Sequence, residues 1–237
     1  MKISEAYPIC KKSVNIPFKD LFSHFSKDEI IKNKGKSGQL MEKLCGLSLS
    51  NTTTDFEDVE LKTSELKEST AITMITDWVD DIIHEKPVSF ERSRLSRKIQ
   101  HMIFMPLEKP KKNDPLSWFF KDCKYIPITK ETILYKRIKS DFENICLNSH
   151  ELIYEKKVTQ LPNCRITKNK KLYVEKYGDK FLHTISGKYI QIRTKDAGKE
   201  KSKPIFSNKL GRNVTLKSRM AFYFMASFKD YVDINFK

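Results

Sequence analysis

Phe18, Leu21, Phe22 and Phe25 fall on one face of a 3.6-residue period behind Pro17, a residue suited to a helix's first turn, so a short amphipathic helix is predicted there. A basic, Gly-punctuated loop over Lys32–Gly38 leads into a second helix over Gln39–Cys45, which Gly46 can close as a C-cap. Asn51–Thr54 reads as a polar turn. Val59–Thr63 then alternates apolar and polar as a half-buried strand does, which puts Glu60 and Lys62 on one face. Ala71–Thr76 and His101–Met105 are also predicted strands, the latter ended by Pro106, and Lys109–Pro115 reads as a loop. Leu134, Ile138, Phe142 and Ile145 recur in steps of four, four and three, predicting a helix over Glu131–Leu147. Between Leu152 and Gly187 the pattern breaks into short Tyr/Val/Leu pieces with Lys-rich turns, read as a β-hairpin excursion. Tyr189–Arg193 is a strand, Lys195–Lys217 a basic stretch, and an aromatic run starts at Phe222. Strands interspersed with helices, without an internal repeat, indicate a mixed α/β or α+β domain.

Composition narrows the function. The 237 residues suit one domain or one domain of two lobes, and 39% hydrophobic content is enough to build a core. The net charge of +15 is spread along the chain and not confined to a tail, which points to a basic surface and a polyanionic partner, nucleic acid first. No stretch approaches the roughly 20 apolar residues that span a bilayer, and no apolar signal segment follows Met1; the expectation is a soluble, cytoplasmic, DNA-associated protein. Five scattered cysteines and five scattered histidines lack zinc-ligand spacing, which fits reduced thiols and gives no local support to a His-based metal site or a triad.

Two motifs invite a chemical reading. Gly35-Lys36-Ser37 ends like a phosphate-binding P-loop, but that cradle needs a Gly where this chain has Ile30, so it is rejected. Asp55 followed by Glu60-Leu61-Lys62 supplies two hard carboxylates suited to Mg²⁺ and an ammonium beside them. Phosphodiester hydrolysis needs those parts: a metal to polarise the phosphate and activate water, and a cation to steer that water and offset developing charge. Two readings fit this pattern alone, a catalytic metal site or a solvated edge strand carrying an ion pair.

Further segments bear on that choice. Gly35-Lys36-Ser37-Gly38-Gln39-Leu40-Met41-Glu42, then Asp55 and Val59-Glu60-Leu61-Lys62-Thr63, resemble the active-site signature of the MutH family, mismatch-repair nicking endonucleases and related type II restriction endonucleases that cut at GATC. Arg97-Lys98-Ile99 leading into His101–Pro106, Tyr189-Ile190-Gln191-Ile192-Arg193, and Phe222-Tyr223 resemble later family segments in the family's order. The resemblance covers residues 16 to 228. It implies a restriction-endonuclease-like (PD-(D/E)xK) α/β fold, a mixed sheet flanked by helices, in two lobes around a DNA cleft. It also implies Asp55 and Glu60 as Mg²⁺ ligands, Lys62 positioning the attacking water, Glu42 adding a carboxylate to the metal shell and Lys98 supporting the site from the next strand. Lys34, Arg193 and Tyr223 match positions that contact DNA. Lys36, Lys195 and Arg212, with Lys199, Lys201 and Lys203, are the further expected DNA contacts.

The chain departs from that pattern twice. Asp55 and Glu60 are closer together than is usual in the family, with Glu57 and Asp58 as alternative acids, and an insertion spans roughly Ile153–Asp179. The expectation is a type II restriction enzyme recognising GATC or a related short site. A mismatch-repair nickase and a catalytically inactive DNA-binding module are the alternatives. Double-strand cleavage would need a homodimer on a palindrome or two successive nicks.

Overall fold

The computed structural model describes residues 1–32, 37–47, 54–154, 160–161, 185–195, 203–216 and 220–236. Along the chain run α1 (Ile3–Lys12), α2 (Phe18–Leu21), α3 (Lys27–Lys32), α4 (Ser37–Leu44), β1 (Glu60–Ser64), β2 (Thr70–Met74), α5 (Thr76–Ile83), α6 (Arg94–Ile99) and β3 (His101–Glu108). A 3₁₀ turn at Pro115–Ser117 precedes β4 (Phe119–Phe120), β5 (Lys124–Pro127) and α7 (Ile133–Tyr154). Then come β6 (Gln160–Leu161), β7 (Ile185–Ser186), β8 (Ile190–Thr194), β9 (Lys203–Ser207), β10 (Arg212–Leu216), β11 (Met220–Phe224) and α8 (Ala226–Asn235). The chain is mixed α/β, with parallel and antiparallel pairing and flanking helices. No helix among the described residues is long and apolar enough to cross a membrane.

Two compact units divide the chain: Met1–Thr70 with Arg97–Thr132 and Lys229–Lys237, and Ala71–Ser96 with Ile133–Phe228. In the first, β3 is the spine. It pairs in parallel with β1, Glu60 opposite Met102, and antiparallel with β5 near its start and β4 near its end. Phe18, Phe22, Leu40, Met41, Leu61, Ile103 and Phe120 form its apolar core, with Phe18 stacked edge-on to Phe22 at 4.9 Å. In the second, β2-β11-β8-β7 form one sheet and β6-β10-β9 another. The predicted stripe Leu134, Ile138, Phe142 and Ile145 on α7 is wholly buried, and Phe142 and Phe222 both pack on Trp78.

Several boundaries differ from the pattern, each for a physical reason. The Phe-rich segment after Pro17 is helical only over Phe18–Leu21; Phe22 and Phe25 follow in a turn that still buries Phe22. Pro106 does not end β3, which runs on to Glu108: the β1 ladder stops opposite Pro106 and the β4 ladder starts at Leu107, so the missing N–H breaks little pairing. The predicted strand to Thr76 stops at Met74, where α5 takes over. Helix α7 continues to Tyr154, whose hydroxyl donates to the carbonyls of Ile82 and Ile83 at 3.0 and 2.8 Å, so the predicted hairpin excursion cannot begin at Leu152. Residues 155–159 and 162–184 of that segment lie outside the described residues. The basic stretch contains the β9–β10 hairpin, whose turn uses Gly211 at φ 60°. Helix α1, with Pro8 inside it, and the C-terminal α8 carried no sequence expectation.

Candidate active site

The site is built on the first residue of β1. Glu60 is completely buried, where the alternation predicted a half-exposed strand face. Burying a lone carboxylate is very costly, so partners must compensate. Lys62, two residues on and on the same face, donates to Glu60 Oε1, to the Leu61 carbonyl at 3.1 Å, and lies 3.6 Å from Asp55 Oδ2. Lys98 donates to the same Glu60 Oε1 at 2.8 Å. Lys98 comes from α6, the helix before β3, and not from a strand as the motif suggested. Glu60 Oε2 is buried with no hydrogen-bond partner among the described residues.

Asp55 is brought in by a tight turn. The Phe56 N–H donates to the Val59 carbonyl at 3.0 Å, and Phe56 itself is buried in the core. The Leu61 N–H then donates to Asp55 Oδ2 at 2.9 Å. That closure lets the short Asp55–Glu60 interval bring both acids to Lys62. The competing acids are used elsewhere: Asp58 accepts the Ile3 N–H at 2.8 Å, and Glu57 pairs with the Met1 amino group at 2.6 Å.

Helix α4 supplies Glu42. Ser37 at its start is joined to Thr63 on β1 by a 2.7 Å hydroxyl–hydroxyl bond, Leu40 and Met41 bury its inner face, and Gly46 closes its end at φ 78°. Burial, and then the neighbouring Asp55 and Glu60 charges, push the Glu42 carboxyl up to about 7, while Lys62 and Lys98 pull it down. Burial disfavours the Lys62 ammonium, yet the charges of Glu60, Asp55 and Glu42 outweigh it, so its pKa is raised and it stays protonated. Three carboxylates therefore face two ammoniums in one electrostatic cluster.

Among the described residues no group of three or more His, Cys, Asp or Glu side chains converges on one point tightly enough to hold a metal. The donor set nevertheless fits Mg²⁺ in kind: hard oxygens on Asp55 and Glu60, Glu42 close by, and an orphaned Glu60 Oε2 that a cation would satisfy.

In the second unit, Arg193 on β8 pairs with Ala221 on β11, and its guanidinium sits over the Tyr223 ring at 4.5 Å. Lys195 follows and is exposed. Arg212 opens β10, and its terminal nitrogens are buried without hydrogen-bond partners among the described residues. Lys34, Lys36, Lys199 and Lys201 lie outside the described residues, and of Lys203 the structure fixes only the backbone, in β9. The sequence reading missed Asp141, a carboxylate on α7 that holds the start of β8. Its signal was an acid one step from Phe142 on an otherwise apolar stripe.

No family model matches the chain, and no curated protein sequence matches it.

Proposed function

We propose that the chain is a Mg²⁺-dependent endonuclease that hydrolyses phosphodiester bonds at a short specific sequence in duplex DNA. In this reading it is a type II restriction enzyme acting at GATC or a related site, on a restriction-endonuclease-like fold of the MutH kind. The observation that carries the reading is the convergence of Asp55, Glu60, Lys62, Lys98 and Glu42, from a turn, a strand and two helices, around one buried carboxylate. A structural ion pair needs one lysine. Two lysines on one oxygen, with the other oxygen unpaired, suit a site completed by a cation.

Asp55 and Glu60 would hold Mg²⁺, with Glu42 beside them, and the metal would polarise the scissile phosphate and lower the pKa of water. Lys62, kept protonated by its acidic neighbours, is a donor and not a base; it orients the attacking water and offsets charge growing on the phosphate. Lys98 pairs with Glu60 and fixes its rotamer. The Leu61 N–H aims the Asp55 carboxylate. Arg193, stiffened on Tyr223, is suited to reading a guanine edge, while the exposed Lys195 and the chain's net charge of +15 supply attraction to phosphates; Arg212, expected from the sequence as a DNA contact, has its terminal nitrogens buried and is left out of that role.

One such site cuts one strand, so double-strand cleavage would use two protomers on a palindrome. Incubation with supercoiled plasmid in Mg²⁺ or in EDTA tests the reading. Discrete fragments in Mg²⁺ alone are expected. Intact plasmid in both, despite tight binding, would leave a DNA-binding module.

A further inference from the structure

In the second unit, the most heavily committed buried charge among the described residues is Asp141. It is 7% exposed, and its only neighbours in hydrogen-bond range among the described residues are three successive backbone amides. The Lys188 N–H donates to Oδ1 at 2.8 Å, and the Tyr189 and Ile190 N–H groups donate to Oδ2 at 2.6 and 3.1 Å. These amides belong to the turn Gly187–Ile190, which links β7 to the first residue of β8 and is closed by the Gly187 N–H on the Ile190 carbonyl at 2.8 Å.

The fit admits no slack. A Cβ added at Gly187 would lie 2.3 Å from the Asp141 carboxyl carbon, so residue 187 must lack a side chain for the carboxylate to reach. One helical turn earlier on α7, Arg137 donates to the Tyr189 hydroxyl at 2.7 Å. From the other side, Ser227 donates to the Lys188 carbonyl and the Met225 N–H to the Tyr189 carbonyl at 2.9 Å. The turn is thus gripped by α7 on one side and by the β11–α8 connection on the other.

Three residues beyond the turn, β8 presents Arg193 over Tyr223. A strand has a side-chain period of two, so a one-residue slip would send Arg193 to the opposite face of its sheet. The pairing Ser186 with Gln191 and Arg193 with Ala221 depends on where the turn is anchored. A carboxylate accepting three amides is a stronger anchor than the hairpin's own single backbone bond.

We propose that Asp141 is a positioning residue for DNA sequence discrimination: by holding the 187–190 turn it sets the register of β8 and hence the place from which Arg193 reads a base. Asp141 touches no DNA in this scheme, and the scheme rests on the proposed role of the chain as a sequence-specific DNA enzyme. Asn at 141 keeps the shape but turns one acceptor into a donor facing an amide N–H.

The test is selection from a random duplex library by the full chain and by Asp141→Asn, beside binding to a random-sequence duplex and a thermal melt. Asp141→Asn is expected to lose about tenfold in preference for the parent's selected sequence while random-duplex binding stays within about twofold. A merely structural residue would lower both together or neither. Ser227→Ala, which removes one hydrogen bond from the same turn at a half-buried position, is expected to lose about threefold in preference, and it decides the matter if Asp141→Asn does not fold. Unchanged preference in the folded variants overturns the proposal alone. A parent chain that enriches no sequence overturns the DNA-reading role beneath it, and the proposal with it.

Discussion

Lys98 donates to the same oxygen of Glu60 that Lys62 holds, at 2.8 Å, and the second carboxylate oxygen is buried with no partner among the described residues. Removing the acid would take from Lys98 the carboxylate it donates to and leave Lys62 with the 3.6 Å contact to Asp55, in a mostly buried place. Glu60→Ala is therefore expected to destabilise the apo chain by about 3–5 kcal/mol, the range for breaking a buried pair. Lys98→Met, which leaves Glu60 still paired with Lys62, should cost less. Chemical denaturation of both variants checks the order, and equal losses would contradict the shared-oxygen arrangement.

The orphaned oxygen gives a metal prediction that needs no turnover. Mg²⁺ at one hundred times its dissociation constant should stabilise the folded chain by about 2.7 kcal/mol through mass action. In Asp55→Asn and Glu60→Gln, the Mg²⁺-induced rise in melting temperature should largely vanish. An equal rise in wild type and both variants would place the ion elsewhere.

Lys229 tests the fold through pH. It is fully buried on α8 and donates to the Ser64 hydroxyl at 2.7 Å, the Glu65 carbonyl at 2.6 Å and the Glu68 carbonyl, tying the C-terminal helix to the turn after β1. Burial lowers its pKa to about 8, against the partial opposition of Glu68 and Glu65. The unfolded chain then binds more protons than the folded one between pH 8 and 10.5, so this group's contribution to stability rises with pH across that window. The gain is on the order of 1–3 kcal/mol and should be absent in Lys229→Met, read from denaturation midpoints at the two ends of the window.

How much of this was legible follows from what each residue needs from its neighbours. Glu60-Leu61-Lys62 and Asp55 were readable because a strand's period of two and a short acidic turn are local facts. The stripe on α7 was readable for the same reason. Full burial of Glu60 was not, since it depends on Lys98 arriving from a helix 38 positions away in sequence. Pro106 misled because its effect depends on which ladder occupies that point of β3. The β9–β10 hairpin was hidden by lysines and arginines that give a strand the look of a loop, and Asp141 by an apolar stripe whose single acid serves a turn 47 positions on.

DNA contacts should separate by type. Lys195→Ala is expected to weaken binding evenly across sequences and to reduce the salt slope by about one, as loss of one phosphate contact does. Arg193→Ala should instead flatten sequence preference, costing about 1–3 kcal/mol of discrimination with little change in slope. Titrations of cognate and random duplexes at several salt concentrations distinguish them. Identical signatures would remove the base-reading role from Arg193.

The most direct test of the nuclease account is digestion of a supercoiled plasmid, prepared with and without adenine methylation at GATC, by wild type, Glu60→Gln and Lys62→Ala in Mg²⁺, with the product ends sequenced. The account predicts discrete wild-type fragments that share one short sequence at their ends, and no cleavage by either variant despite DNA binding like that of the wild type. Cleavage at the same sites by either variant, or no cleavage by the wild type, would contradict it.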